Sequence, residues 1–137
     1  MRMPVYIALL ISIFLSGCGE RKIQVTGKVL LKNGKPLPGG MLVLSPEAGG
    51  LKGGARAYLE TDGTFVLSTD AAGDGIISGK YKVLVVHPPK KGGEDAPSGP
   101  MLFHPKYSDF ATSGLVVDIT PENHLLEITL DPPSSRN

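Results

Sequence analysis

The chain has 137 residues, with 14 basic and 13 acidic side chains, 18 glycines, 12 prolines, one cysteine and no tryptophan. This length allows one small domain, and the high Gly and Pro content favours short strands and turns over a helical bundle. The formal net charge of +1 and the absence of a Lys/Arg-rich run argue against nucleic acid as a partner.

Residues 1–17 are typical of an export signal. Arg2 supplies a positive charge, and residues 5–15 form an apolar stretch interrupted only by Ser12. A helix needs roughly 20 apolar residues to cross a bilayer, and this stretch is about half that long. We therefore expect a cleaved signal peptide over 1–17, with its hydrophobic region at 5–15.

The signal ends in Leu15-Ser16-Gly17-Cys18, which resembles the lipobox of bacterial lipoproteins. The resemblance implies that the Cys18 thiol receives a diacylglycerol group, that the chain is cut before Cys18, and that the new amine is acylated. Lipidation would consume the only cysteine, which in an oxidising compartment would otherwise be a free thiol. The alternatives are a chance match after an ordinary signal, or a buried inert thiol.

The lipobox resemblance also implies a location. Two or three acyl chains hold a protein to a bilayer, so the membrane is the expected partner. Residues 18–22 comprise the lipidated cysteine and a short tether, which keeps the domain close to the membrane surface. Gly19 is not the aspartate that retains enterobacterial lipoproteins in the inner membrane, so the resemblance implies the outer membrane, at its periplasmic face or at the cell surface.

The rest of the chain alternates apolar and polar residues with the period of β-strands. Asp62-Gly63 is a strong hairpin signal between two of these strands. Because the inward residues of one sheet need a second sheet to cover them, 23–131 predicts an all-β, seven-stranded antiparallel Greek-key β-sandwich, followed by a frayed tail at 132–137. The strands are expected within 23–31, 41–45, 55–60, 65–67, 79–86, 115–119 and 126–130.

Four stretches of this region carry a family resemblance: VTGKVLLKNGKPLPGG, ETDGTFVL, GDGIISGKYKVLVV and PKYSDFATSGLVVDI. They are similar to the carboxypeptidase regulatory-like (transthyretin-like, prealbumin-like) β-sandwich of small planctomycete-type envelope lipoproteins. The resemblance covers 23–131 and implies a noncatalytic accessory or adhesion-like unit. The chain departs from the family at 61–64, where a longer loop usually precedes the inward aromatic residue, so no role is carried over to this loop.

Residues 87–113 form a segment too long for a simple connection. Its first part, 88–100, is linker-like, and its second part, 101–113, contains Phe103, Tyr107 and Phe110. We expect the second part to lie across a sheet edge or one end of the sandwich in a packing role. The alternative is an aromatic platform in which these three residues bind a ligand.

The histidines and the Asp70/Asp74 pair predict no metal site. His87, His104 and His124 share no ligand motif and are expected to be solvated. Asp70 and Asp74 lack the ligand spacing of a calcium loop and predict a turn before the next strand.

The chain contains no convincing catalytic constellation and no motif for a cofactor. Ser108, Asp109, Ser113 and His104 include every triad residue type, but a Gly-x-Ser-x-Gly elbow is missing. We expect Ser108, Asp109, Thr112 and Ser113 to satisfy turn and cap amides instead.

The sequence thus predicts a lipid-anchored cell-envelope β-sandwich with a structural or protein-interaction role and no enzymatic activity. The alternative is a periplasmic peptide- or glycan-binding module that uses residues 101–113. Clustered exposed aromatic residues near 101–113 would favour ligand binding, whereas a short polar surface with an open edge strand would favour contact with another envelope protein by strand addition.

Overall fold

A computed structural model describes residues 20–49, 53–88, 92 and 99–134. The signal peptide and Cys18 lie outside the described residues, as do most of the linker-like segment and the last three residues of the tail. No helix in the described ranges is long and apolar enough to cross a membrane.

Nine strands and one short 3₁₀ helix, η1, account for the regular structure of the described residues. Those strands with three or more residues coincide with the seven predicted ones. In chain order the elements are β1 (Lys22–Ile23), β2 (Thr26–Leu31), β3 (Met41–Pro46), β4 (Ala55–Tyr58), β5 (Thr64–Val66), β6 (Ile76–Ile77), β7 (Gly79–Val86), η1 (Pro105–Ser108), β8 (Leu115–Ile119) and β9 (Leu125–Leu130).

The longer strands form two sheets that share one apolar core. Their orders are β5-β2-β9 and β4-β3-β7-β8, and a separate small ladder joins β1 to β6. The inward residues of every predicted strand contribute to the core or pack against it, which confirms the all-β sandwich. The fully buried members include Val25, Val29, Leu42, Leu67, Val83, Val85, Ile119 and Leu130.

One pairing departs from the predicted antiparallel arrangement. Strands β2 and β9 are parallel, in register from Thr26 opposite Leu125 to Leu31 opposite Leu130. The other ladders among the described strands are antiparallel. The prediction was wrong for this pair because period-two alternation defines which side chains are buried, whereas the direction of a neighbouring strand depends on how the connection crosses between sheets.

The predicted Asp62-Gly63 hairpin joins strands of different sheets. Its two arms continue into β4 and β5, which pair with β3 and β2 respectively. The Asp62 side chain closes the turn, because its Oδ1 accepts hydrogen bonds of 3.0 and 2.6 Å from the N–H and hydroxyl of Thr64. These contacts lower the pKa of Asp62.

The sandwich has two ends that differ in the segments they contain. The base end contains β1, β6 and the loop 68–75, next to the start of the described chain. The far end contains the loop 32–40, the turn 59–63 and Asp131.

Candidate functional site

Lys22 attaches the first described residues to the base end. Its Nζ lies 2.5 Å from Asp70 Oδ2 and 2.6 Å from Asp74 Oδ2. Both hydrogen bonds raise the pKa of Lys22, and the bond to Asp70 contributes more than the bond to Asp74. Cys18 precedes Lys22 by only four positions in the sequence, so β1 begins four positions after the predicted lipidation site.

The carboxylate of Asp74 organises the loop at the base end. It accepts hydrogen bonds from the backbone N–H groups of Thr69, Asp70 and Ala71 at 2.7, 3.1 and 3.2 Å. The hydrogen bond from Lys22, together with these donors, holds the pKa of Asp74 well below its usual range. The predicted turn role of Asp70 and Asp74 is confirmed.

A second polar cluster lies at the far end, around Asp131. Its two carboxylate oxygens lie 2.6 Å from Lys32 Nζ and 2.6 Å from Lys106 Nζ, and the Tyr107 hydroxyl donates to it at 2.8 Å. Hydrogen bonds from these three side chains lower the pKa of Asp131, and the bond from Lys106 contributes most. Sequence reasoning missed this cluster because its members come from three distant segments and share no spacing.

Two of the three aromatic residues of 101–113, a segment we call the strap, belong to the core. Phe103 is fully buried and Tyr107 is 4% exposed, while Phe110 is half-buried. Phe103 stacks on His87 with 3.9 Å between ring centroids and 7° between ring planes. The expected packing role is therefore the one that the structure supports, and neither Phe103 nor Tyr107 offers a ring face to a ligand from solvent.

The three histidines are half-buried, and His87 alone corrects the prediction of solvated side chains. His87 packs against the strap with its Nε2 atom buried and without a hydrogen-bond partner in the described structure, and this desolvation lowers its pKa. His104 accepts a 3.1 Å hydrogen bond from Lys106 N–H and caps η1. His124 Nδ1 lies 2.8 Å from the Pro121 carbonyl oxygen.

The polar residues that follow η1 stabilise turns. Asp109 Oδ1 accepts from Ala111 N–H at 2.7 Å, and Ser113 Oγ accepts from Leu115 N–H at 3.3 Å. The expectation that Asp109 and Ser113 satisfy turn amides is confirmed. Within the described ranges, no three His, Cys, Asp or Glu side chains converge on a point where they could hold a metal ion.

A groove of 890 Å³ opens between β4 and β5. We call it the hairpin groove. Arg56, Tyr58 and Glu60 line one side of it, Thr64, Val66 and Ser68 line the other, and the loop 69–73 closes one end. The alternation within 55–60 places Arg56, Tyr58 and Glu60 on one outward row, but no local signal in the sequence shows that this row borders a groove.

Strands β8 and β9 are the edges of the two sheets on the other side of the sandwich. Val116 of β8 is 51% exposed and Leu125 of β9 is 71% exposed. Part of the β8 edge is covered, because the Asn123 side-chain amide donates a 2.6 Å hydrogen bond to the Asp118 carbonyl oxygen.

Comparisons with known proteins identify a solved structure of low similarity. No family model matches the chain, and no curated protein matches it. A solved structure that is similar is BcpA*(D312A), the major pilin subunit of Bacillus cereus, with a TM-score of 0.49 and 15% sequence identity. The match covers 81% of this chain and 30% of that chain, so this chain spans less than a third of the pilin's length.

Proposed function

We propose that this chain is a lipid-anchored β-sandwich of the carboxypeptidase regulatory-like type, which serves the cell envelope as a structural or protein-interaction module without catalysis. The observation that carries the proposal is the attachment of Lys22 to the base end, directly after Leu15-Ser16-Gly17-Cys18. An acylated Cys18 would hold this end of the domain against a membrane, and the sequence around Gly19 favours the outer membrane.

The far end supports an interaction role for the module. With the base end next to the membrane, the far end points away from it, towards other envelope proteins. Its structure is held by the contacts of Asp131 with Lys32 and Lys106. Asp109 and Ser113 satisfy turn amides and His104 caps η1, so these residues serve local structure, which fits a binding or structural module better than an enzyme.

Strand addition at β8 is the contact that we propose for a protein partner. Val116 exposes half of its surface at this edge, whereas the Asn123 side chain covers the neighbouring Asp118 carbonyl oxygen. An extended segment of another envelope protein could hydrogen-bond to the open part of the edge.

Replacement of the lipidation residue tests the anchor. We expect Cys18→Ser to accumulate as the uncut precursor, without acyl mass and without partitioning into a detergent phase, whereas the wild-type chain is cut before Cys18 and carries acyl groups. Intact mass spectrometry and detergent-phase partitioning measure both properties. Ser16→Ala is the matched control, because it keeps a small residue before the thiol. Normal processing and partitioning of Cys18→Ser would refute the anchor.

A further inference from the structure

The hairpin groove exists because two antiparallel segments separate between two points at which they are hydrogen-bonded. At one point Arg56 and Ser68 exchange backbone hydrogen bonds of 3.0 and 2.9 Å. At the other, Glu60 N–H donates to the Thr64 carbonyl oxygen at 2.9 Å. No strand pairing or bridge joins β4 to β5 between these two points, although both strands are fully described.

Strand alternation then determines which backbone groups face the gap. Residues that bond towards the opposite segment recur at every second position of an antiparallel pair. Tyr58 lies two positions after Arg56, and Val66 lies two positions before Ser68. Their N–H and C=O groups therefore face each other across the groove without a ladder partner, and such groups need hydrogen bonds from water or from a ligand.

The separation is a property of the fold, because each segment is drawn towards its own sheet. Leu59 N–H donates to the Gly40 carbonyl oxygen at 2.9 Å, on the side of β3. Leu67 N–H donates to the Val25 carbonyl oxygen at 2.9 Å, on the side of β2. The gap therefore persists while both sheets are intact.

Side chains of several chemical types surround these backbone groups. Tyr58 is 72% exposed and Val66 is 48% exposed, so an aromatic ring and two methyl groups are available at the groove. Arg56 and Glu60 lie on either side of Tyr58 along the same row, and neither makes an ion pair with another described residue. The groove thus combines apolar surface with a free cation and a free anion.

We infer that the hairpin groove binds the 2-acetamido sugars of a glycan. An acetamido group carries one N–H donor and one C=O acceptor, which complement the unpaired groups of Tyr58 and Val66, and a methyl group that can contact the Val66 side chain. A pyranose ring can pack on the exposed ring of Tyr58, and its hydroxyl groups can bond to Arg56 and Glu60.

The closed ends of the gap distinguish this ligand from an extended peptide. A peptide strand needs a continuous row of free backbone groups. Here the bonds between Arg56 and Ser68 and between Glu60 and Thr64 occupy the positions before and after the gap. The free row is therefore one residue pair long, which suits a single amide better than a strand. The inference goes beyond the proposed function and does not depend on Cys18.

Paired sugar trimers test the inference on the full-length chain in detergent. The probe is a β-1,4-linked trimer of N-acetylglucosamine, and the control is the corresponding glucose trimer, which lacks the acetamido groups. We expect saturable binding of the first in calorimetry and at least about tenfold weaker binding of the second, because the loss of two hydrogen bonds costs about this factor. In NMR spectra, the amide signals of Tyr58 and Val66 should shift most.

Variants at the groove distinguish a loss of stacking on the Tyr58 ring from a loss of folding or of unspecific binding. Tyr58→Ala should weaken binding of the N-acetylglucosamine trimer about tenfold, whereas Tyr58→Phe, which keeps the ring, should stay within about threefold of wild type. Val116→Ala, on the distant β8 edge, should bind normally. Because Tyr58 is exposed, its variants should keep the wild-type unfolding midpoint.

Three results would each overturn the inference: no binding of the N-acetylglucosamine trimer, equal binding of the two trimers, or unchanged binding by Tyr58→Ala. None of them bears on the anchor, since lipidation at Cys18 is measured by mass. Likewise, a failure of the Cys18→Ser test leaves the sugar titrations interpretable.

Discussion

The backbone of Gly27 supports the ring of Phe65 inside the sandwich. A Cβ atom at Gly27 would lie 2.6 Å from the Phe65 ring and would also meet the Leu126 carbonyl oxygen of the neighbouring parallel strand. Gly27 therefore allows two strands and an aromatic ring to approach closely in the middle of the three-stranded sheet. This explains a glycine at an inward position of β2.

We predict that Gly27→Ala destabilises the fold by about 1–3 kcal/mol, because the added methyl group overpacks the core against Phe65. Urea unfolding followed by circular dichroism measures the change. Gly99→Ala is the matched control, since nothing lies within 4 Å of a Cβ atom there. Equal stability of the two variants would contradict the close approach.

The contacts of Asp74 predict that the folded protein loses stability as the pH falls. The pKa of Asp74 in the folded chain lies below the ordinary value of 3.8, so the unfolded chain takes up the proton first as the pH falls. The stabilisation is therefore complete above about pH 4 and is lost below it. We expect Asp74→Asn to be less stable than wild type at pH 7 and to lose less stability on acidification. Urea midpoints between pH 7 and pH 2.5 measure this, and parallel profiles would contradict it.

At the scale of elements, the strap is a part of the core supplied by a loop. Phe103 stacks on His87, and Tyr107 donates its hydroxyl hydrogen to Asp131. His104 N–H also donates to the Asp131 carbonyl oxygen at 2.9 Å. The strap is therefore attached through both apolar and polar contacts, and it covers the end of the core that the sheets leave open.

We predict that Phe103→Ala destabilises the protein by about 3–5 kcal/mol, because it leaves a cavity where the ring is now fully buried. Met101→Ala, in the same segment but 45% exposed, should change the free energy of unfolding by less than about 1 kcal/mol. Urea unfolding of both variants measures the difference. A mild effect of Phe103→Ala would show that the strap is dispensable for the core.

The sequence was sufficient to predict the strands and their buried faces, because alternation with a period of two is a local signal that burial on one face imposes. It was also sufficient for the turn at Asp62-Gly63, whose side chain bonds within its own turn. Two features were not predictable from the sequence: the parallel register of β2 and β9, and the separation of Tyr58 from Val66. Both depend on which sheet each strand joins. The Asp131 cluster likewise depends on contacts between distant segments.

At the scale of the whole molecule, the two ends of the sandwich carry different contacts. Lys22 holds the base end through Asp70 and Asp74, whereas Lys32 and Asp131 lie at the far end. The six-residue strands that separate them span about 20 Å at roughly 3.3 Å per residue. A lipid attached at Cys18 would therefore leave the far end outside the reach of lipid headgroups.

This polarity predicts how the domain stands on a membrane. Ala72→Cys introduces a thiol at the base end, and Asn33→Cys introduces one at the far end. Because lipid blocks the Cys18 thiol, a fluorophore reacts only with the introduced cysteine. In vesicles with nitroxide-labelled headgroups, we expect strong short-range quenching at position 72 and weak quenching at position 33. Adding Lys22→Ala, which removes both ion pairs at the base end, should reduce the contrast. Equal quenching at the two positions, with lipidation verified by mass, would mean that the sandwich lies flat on the bilayer or tumbles freely on its tether.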